Sequence, residues 1–159
     1  MNHDLTKVIS ESVQIFVAVR AAEGTVTTSP SLAVINAGGD ATWIKVGAAQ
    51  KKKTKLVGNP YTTEVDDGLE SNNGVGVILT ARSVERTTAQ ETALEGFENK
   101  ILDVIMRVTD ATKAYKFVRC SLVKQPDFPF NQEESQGNEL RFKRDAAKFS
   151  DAITVITLA

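Results

Sequence analysis

The chain has 159 residues, the size of one ordinary domain. Its hydrophobic (42%) and charged (25%) fractions are near the globular average, which excludes general disorder. A net charge of -1 argues against a dedicated nucleic-acid binder, which carries a basic surplus. The single histidine, His3, and the single cysteine, Cys120, exclude an intramolecular disulfide and leave too few His and Cys ligands for a zinc site. A Ser-His-Asp or Cys-His relay would have to recruit His3 from the N-terminal tail. The apolar run 13–19 is too short to span a bilayer, and residues 1–12 form no basic leader. The reading is one domain over residues 1–159, made in a cytoplasm and not inserted in a membrane. Residues 1–11 form an N-terminal arm that is either flexible or contact-making.

Strand signals dominate in chain order. Residues 12–20 alternate, with Val13, Ile15, Val17 and Val19 on one face and Gln14, Phe16, Ala18 and Arg20 on the other. A loop of small residues follows over 21–41, then a short strand over 42–46. A basic segment, Lys45, Lys51, Lys52, Lys53 and Lys55, precedes an acidic one, Glu64, Asp66, Asp67 and Glu70. Strand 74–82 places Val75, Val77, Leu79 and Ala81 together. Thr88-Ala89-Gln90-Glu91 fits a capping box and opens a helix over about 88–96. Gly96 is its expected left-handed terminator, and Leu94 and Phe97 are expected to pin it to a sheet. Strand 100–108 sets Leu102, Val104, Met106 and Val108 against Asp103 and Arg107. Strand 114–123 alternates Val118, Cys120 and Leu122 with Tyr115, Phe117 and Arg119. A second long loop, 124–138, carries Phe128 and Phe130 between prolines, and strands 139–143 and 152–158 close the chain. The pattern predicts a mainly β, antiparallel sandwich or half-barrel with one short flanking helix and long loops.

Little in this pattern carries chemistry. The pairs Asp66-Asp67 and Glu133-Glu134 are adjacent in sequence, so on a strand each pair would point to opposite faces. They read as solvated loops rather than catalytic dyads. No Gly-rich turn feeds a helix as a phosphate loop requires. Cys120 reads as a buried small hydrophobe rather than a reactive thiol. No catalytic residue, metal or cofactor is expected. The opposed charge segments are either a solvated hairpin or complementary patches on neighbouring copies, and such patches build rings or filaments. Phe128 and Phe130 either plug the chain's own core or dock on a neighbouring subunit. Long alternating strands with few internal prolines leave edges to be closed by a barrel or used in assembly.

The order of these features resembles the tail tube (major tail) proteins of bacteriophages. The resemblance runs through Ile15-Phe16-Val17-Ala18-Val19, Glu23-Gly24-Thr25 and Asp40-Ala41-Thr42-Trp43-Ile44-Lys45-Val46-Gly47. It continues through Gly76-Val77-Ile78-Leu79-Thr80, the Thr88 helix, residues 101–108 and 115–122, and the Gln125-Pro126-Asp127-Phe128-Pro129-Phe130 turn. The order and spacing carry it over nearly the whole chain, while each motif alone is weak, and Lys51–Lys53 stand outside the family pattern. The resemblance implies a virion structural protein of the tail, assembled in the host cytoplasm. Six subunits form a ring whose sheets join edge to edge around a lumen, and rings stack into a conduit for the genome. The implied partners are further copies, other tail proteins (terminator, sheath or baseplate) and DNA in passage.

On this reading the candidate subunit or ring contacts are Lys51, Lys52, Lys53, Lys55, Glu64, Asp66, Asp67, Glu70, Phe128 and Phe130. A lumen for DNA should not grip phosphate, so it is expected to be neutral or acidic. Asp103, Arg107, Glu139, Arg141 and Lys143 lie on mixed strand faces and are the candidates to line it. The alternatives are a related ring-forming virion protein (tail terminator, tail-completion or head decoration protein) and a small ligand-binding β-barrel. An enzyme would have to rely on carboxylates alone, such as Asp103 with a partner across the sheet.

Overall fold

The structure is a computed structural model that describes residues 13–22, 24–49, 54–65, 68–83, 88–108, 111–127 and 137–159. It is mainly β, with eight antiparallel strands in one sheet. The strands are β1 (Val13–Val19), β2 (Ile44–Ala49), β3 (Lys55–Glu64), β4 (Glu70–Ser83), β5 (Leu102–Val108), β6 (Lys113–Asp127), β7 (Gly137–Ala146) and β8 (Ile153–Thr157). Three short helices, α1 (Leu32–Asn36), α2 (Thr88–Phe97) and α3 (Phe149–Ala152), complete the described elements. The strand order is β2-β1-β5-β6-β7-β4-β3, with β8 added on β6. The sheet curls far enough that β2 also meets β4, at Ala49 and Ser83.

Most of the alternating residues predicted for β1, β4 and β5 line the inside of this curl, whereas Val19 and Val108 at strand ends are exposed. Ile15, Val17, Val77, Leu79, Leu102 and Val104 are all fully buried there, with Phe117, Leu140 and Phe142. Burying each such side chain contributes about 1.5–3 kcal/mol. Helix α2 seals the core with Leu94 and Phe97, as its sequence predicts. Its end differs from expectation. Gly96 lies within the helix, and the left-handed residue is Asn99, at φ 63°. The helix therefore runs one residue past the predicted stop, and Asn, which tolerates this conformation, takes the place assigned to glycine. The side chains of the predicted capping box at its start lie outside the described ones.

The outer face of β1 and β5 is also covered. Segment 24–43, which covers most of the loop expected over 21–41 and the first two residues of the strand expected over 42–46, crosses it and contains α1, whose N-cap Ser31 accepts a hydrogen bond from the Val34 amide at 3.3 Å. Phe16, Ala18, Ile35, Trp43, Ile105, Ala114 and Leu158 form a second buried cluster beneath it. Gly39 makes the return to Trp43 possible. It sits at φ +103°, and a Cβ there would collide with the Trp43 carbonyl oxygen.

Two strands are re-phased relative to a simple alternation. In β6, Phe117 points into the core while Tyr115, two residues before it, is exposed, but Arg119 takes φ 55° and shifts the register, so Cys120 and Leu122 turn inward as well. The predicted opposition of these two sets is broken by this bulge. Along one edge of β6 the chain lays down β7 against residues 121–127, bulges out as α3, and resumes as β8 against residues 113–117.

Candidate functional site

The densest polar arrangement in the described residues lies under segment 24–43. Asp103 and Arg107, expected to line a water-filled interior, are instead buried, Asp103 completely. The physical reason is the covering segment, which turns a face of mixed polarity into an interior one. Asp103 accepts from Arg20 Nε at 3.1 Å, from the Thr27 amide at 3.0 Å and from the Arg119 amide at 3.0 Å. Burial pushes its carboxyl pKa up, but the donors from Thr27, Arg119 and Arg20 more than offset this and hold it below the usual aspartate value. The same carboxylate thus supports the left-handed backbone of Arg119. Arg107 donates from Nε to the Ala111 carbonyl and from Nη1 to Gln14 and Asn36. Lys116 sends its ammonium to the Thr27 carbonyl and to Ser29 Oγ at 3.1 Å, and lies 5.8 Å from the Trp43 ring centroid. Burial lowers its pKa, partly opposed by Asp103. Every buried side-chain polar atom among the described residues has a partner. These groups hold one another and reach no open cleft, so they make a structural network.

The three other residues expected to face a lumen share a solvent-facing side of β7. Arg141 and Lys143 are exposed and Glu139 is half-buried, while Leu140 and Phe142 between them point into the core. Glu139 and Arg141 pair at 3.4 Å, an exposed contact worth well under about 1 kcal/mol.

Of the candidate contact residues, Lys55, Glu64 and Glu70 are described, and they fall on the β3–β4 hairpin. β3 was not among the predicted strands, because Lys-Leu-Val-Gly-Asn-Pro-Tyr-Thr-Thr-Glu has no alternating pattern. It forms as an exposed edge strand, where Pro60 is tolerated. β4 pairs with β7 only from Val75 onward, so residues 61–64 and 70–74 project past the end of β7. Tyr61 steadies the base of this projection by donating from its hydroxyl to Asp145 at 2.8 Å. Lys55 opens β3 at one end, whereas Glu64 faces Glu70 at the other. Nine extended residues separate the basic and acidic ends by about 30 Å. Val65 and Leu69 are exposed at the acidic tip. Lys51, Lys52, Lys53, Asp66, Asp67, Phe128 and Phe130 lie outside the described residues, as do His3 and the N-terminal arm.

Cys120 is buried as expected, with Sγ 3.5 Å from the Leu102 carbonyl oxygen, and burial drives its thiol pKa far up. One open hollow of about 470 Å³ lies at the end of the curl, between residues 25–28 and Val19, Ile44 and Phe97. Among the described residues no helix is long and apolar enough to cross a membrane. No protein-family model matches the chain, and no curated protein matches it.

Proposed function

We propose that this chain is a virion structural protein that self-assembles into hexameric rings stacked as a tail tube, the conduit for genome delivery. The observation that carries the reading is a pair of free sheet edges on one chain. Among the described residues β3 pairs only with β4, and β8 only with β6. β8, Ile-Thr-Val-Ile-Thr, has no charge and no proline to blunt it, and Val155 is 60% exposed. Such an edge is a template for another strand. An edge on each of two different strands makes the contact heterologous, and a heterologous contact closes rings. The hairpin adds an acidic projection, with Lys55 at its opposite end, suited to fixing register between rings rather than to supplying affinity. The solvated β7 face of Glu139, Arg141 and Lys143 is the proposed lumen surface, and with Asp103 buried its charge of +1 departs from the neutral or acidic lumen expected for DNA passage. Further copies, other tail proteins and passing DNA are the proposed partners.

Negative-stain microscopy with light scattering tests this on purified protein. Rings or tubes are expected, weakened when Lys51, Lys52 and Lys53 are replaced by Glu with the fold intact. A strict monomer at high concentration and across salt would remove the reading. Rings that never stack would transfer the same edges to a terminator, completion or decoration role.

A further inference from the structure

Residues 24–31 are attached differently from everything around them. They contribute no bulky apolar side chain to either buried cluster, and their one larger apolar residue, Val26, is half exposed. Their described anchors to the sheet are polar and converge on a few side chains. The Thr27 amide reaches Asp103, the Thr27 carbonyl and Ser29 Oγ reach Lys116, and the Thr28 carbonyl accepts from Trp43 Nε1 at 2.9 Å. Next to them lies the hollow of about 470 Å³, lined by Thr25 to Thr28 on one side and by Val19, Ile44 and Phe97 on the other. The segment is thus underpacked on the side facing the core. It is bounded by α1, which is itself held by buried Ile35.

We propose that residues 24–31 are a strap that opens as a unit while the sheet stays folded. Opening would uncover Phe97 and the indole edge of Trp43, both buried, and widen the exposure of Val19 and Ile44, which are already partly open to solvent. Local opening is cheapest where few apolar contacts are lost, and here polar bonds are exchanged for bonds to water. The closed strap screens part of an apolar surface, and the open strap presents it. Asp103 and Lys116 are the latch. This device is independent of the assembly reading and stands or falls without it.

Native-state hydrogen exchange in low urea tests it on the wild-type chain, with acrylamide quenching of the sole tryptophan as second readout. The Thr27 amide should exchange through an opening far less sensitive to urea than that of β1 and β5 amides. Asp103→Asn should speed its exchange about 10- to 100-fold and raise Trp43 quenching, with unchanged far-UV dichroism. Exchange of Thr27 only in the global unfolding transition of the wild type would overturn the proposal. So would a folded Asp103→Asn variant with Trp43 still shielded. Should that variant not fold, the wild-type urea dependence alone decides the matter.

Discussion

Arg119 is an exposed residue in the middle of β6, held at φ 55°. A side chain with a Cβ pays roughly 1–2 kcal/mol to occupy the left-handed region. Glycine escapes that cost but loses about 0.5–1 kcal/mol more chain entropy on folding. The net effect of Arg119→Gly is therefore a gain of about 0.5–1 kcal/mol, equivalent to about 1–4 °C in Tm for a domain of this size. Arg119→Asn should be close to neutral. Arg119→Val, β-branched and poorly suited to this region, should lose about 1–2 kcal/mol. The amide that donates to Asp103 is retained in all three variants, so that bond does not enter the comparison. Urea denaturation followed by far-UV dichroism, with m held constant, gives the ranking Gly, Asn, Arg, Val from most to least stable. If Gly proves less stable than Arg by more than about 1 kcal/mol while Val is tolerated, the argument from backbone strain fails. Contacts of the Arg119 side chain would then govern this position.

Asp103 gives a pH dependence with a defined sign. Its carboxyl pKa is held low in the folded chain, so its contribution is fully present above the ordinary aspartate value and is lost as pH falls through the folded value. The urea midpoint should drop in acid below about pH 4, and Asp103→Asn should flatten that drop. An unchanged acid limb in the variant would assign the loss to other carboxylates. Gly39→Ala should destabilise by more than about 1 kcal/mol, because φ is +103° and the new methyl meets the Trp43 carbonyl. A Tm equal to wild type would show that the turn adjusts freely. Cys120 should resist a thiol reagent in the native state and react with one equivalent in urea. Fast native labelling would contradict its burial.

Residues that repeat with the period of their element were legible in the sequence. Ile15 and Val17, Val77 and Leu79, and Leu102 and Val104 lie where alternation puts them, and Leu94 and Phe97 seal the core from α2. Features set by partners distant in sequence were not legible. β3 exists because β4 lends it a ladder, so its own residues carry no strand pattern. Asp103 and Arg107 read as water-facing because their alternation with apolar neighbours is the signature of a solvated face. What buries them is segment 24–43, whose small residues advertise no affinity for a sheet. The Arg119 bulge has no residue signal at all, since glycine or asparagine would normally mark such a position.

The covering layer also has a consequence for the order in which the molecule is made. β1 pairs on both sides, with β2 and with β5, and the second pairing joins residue 13 to residue 108. The cluster beneath segment 24–43 needs Leu158, and the Leu32 amide bonds to the carbonyl of Ala159 at 2.8 Å. At synthesis rates of about 5–20 residues per second, those N-terminal residues wait several seconds for their partners. The β3–β4 hairpin, closed by local pairing, can form long before. During that interval the nascent chain carries Phe16, Ile35 and Trp43 without the residues that bury them, and this is the stage at which a chaperone would matter most.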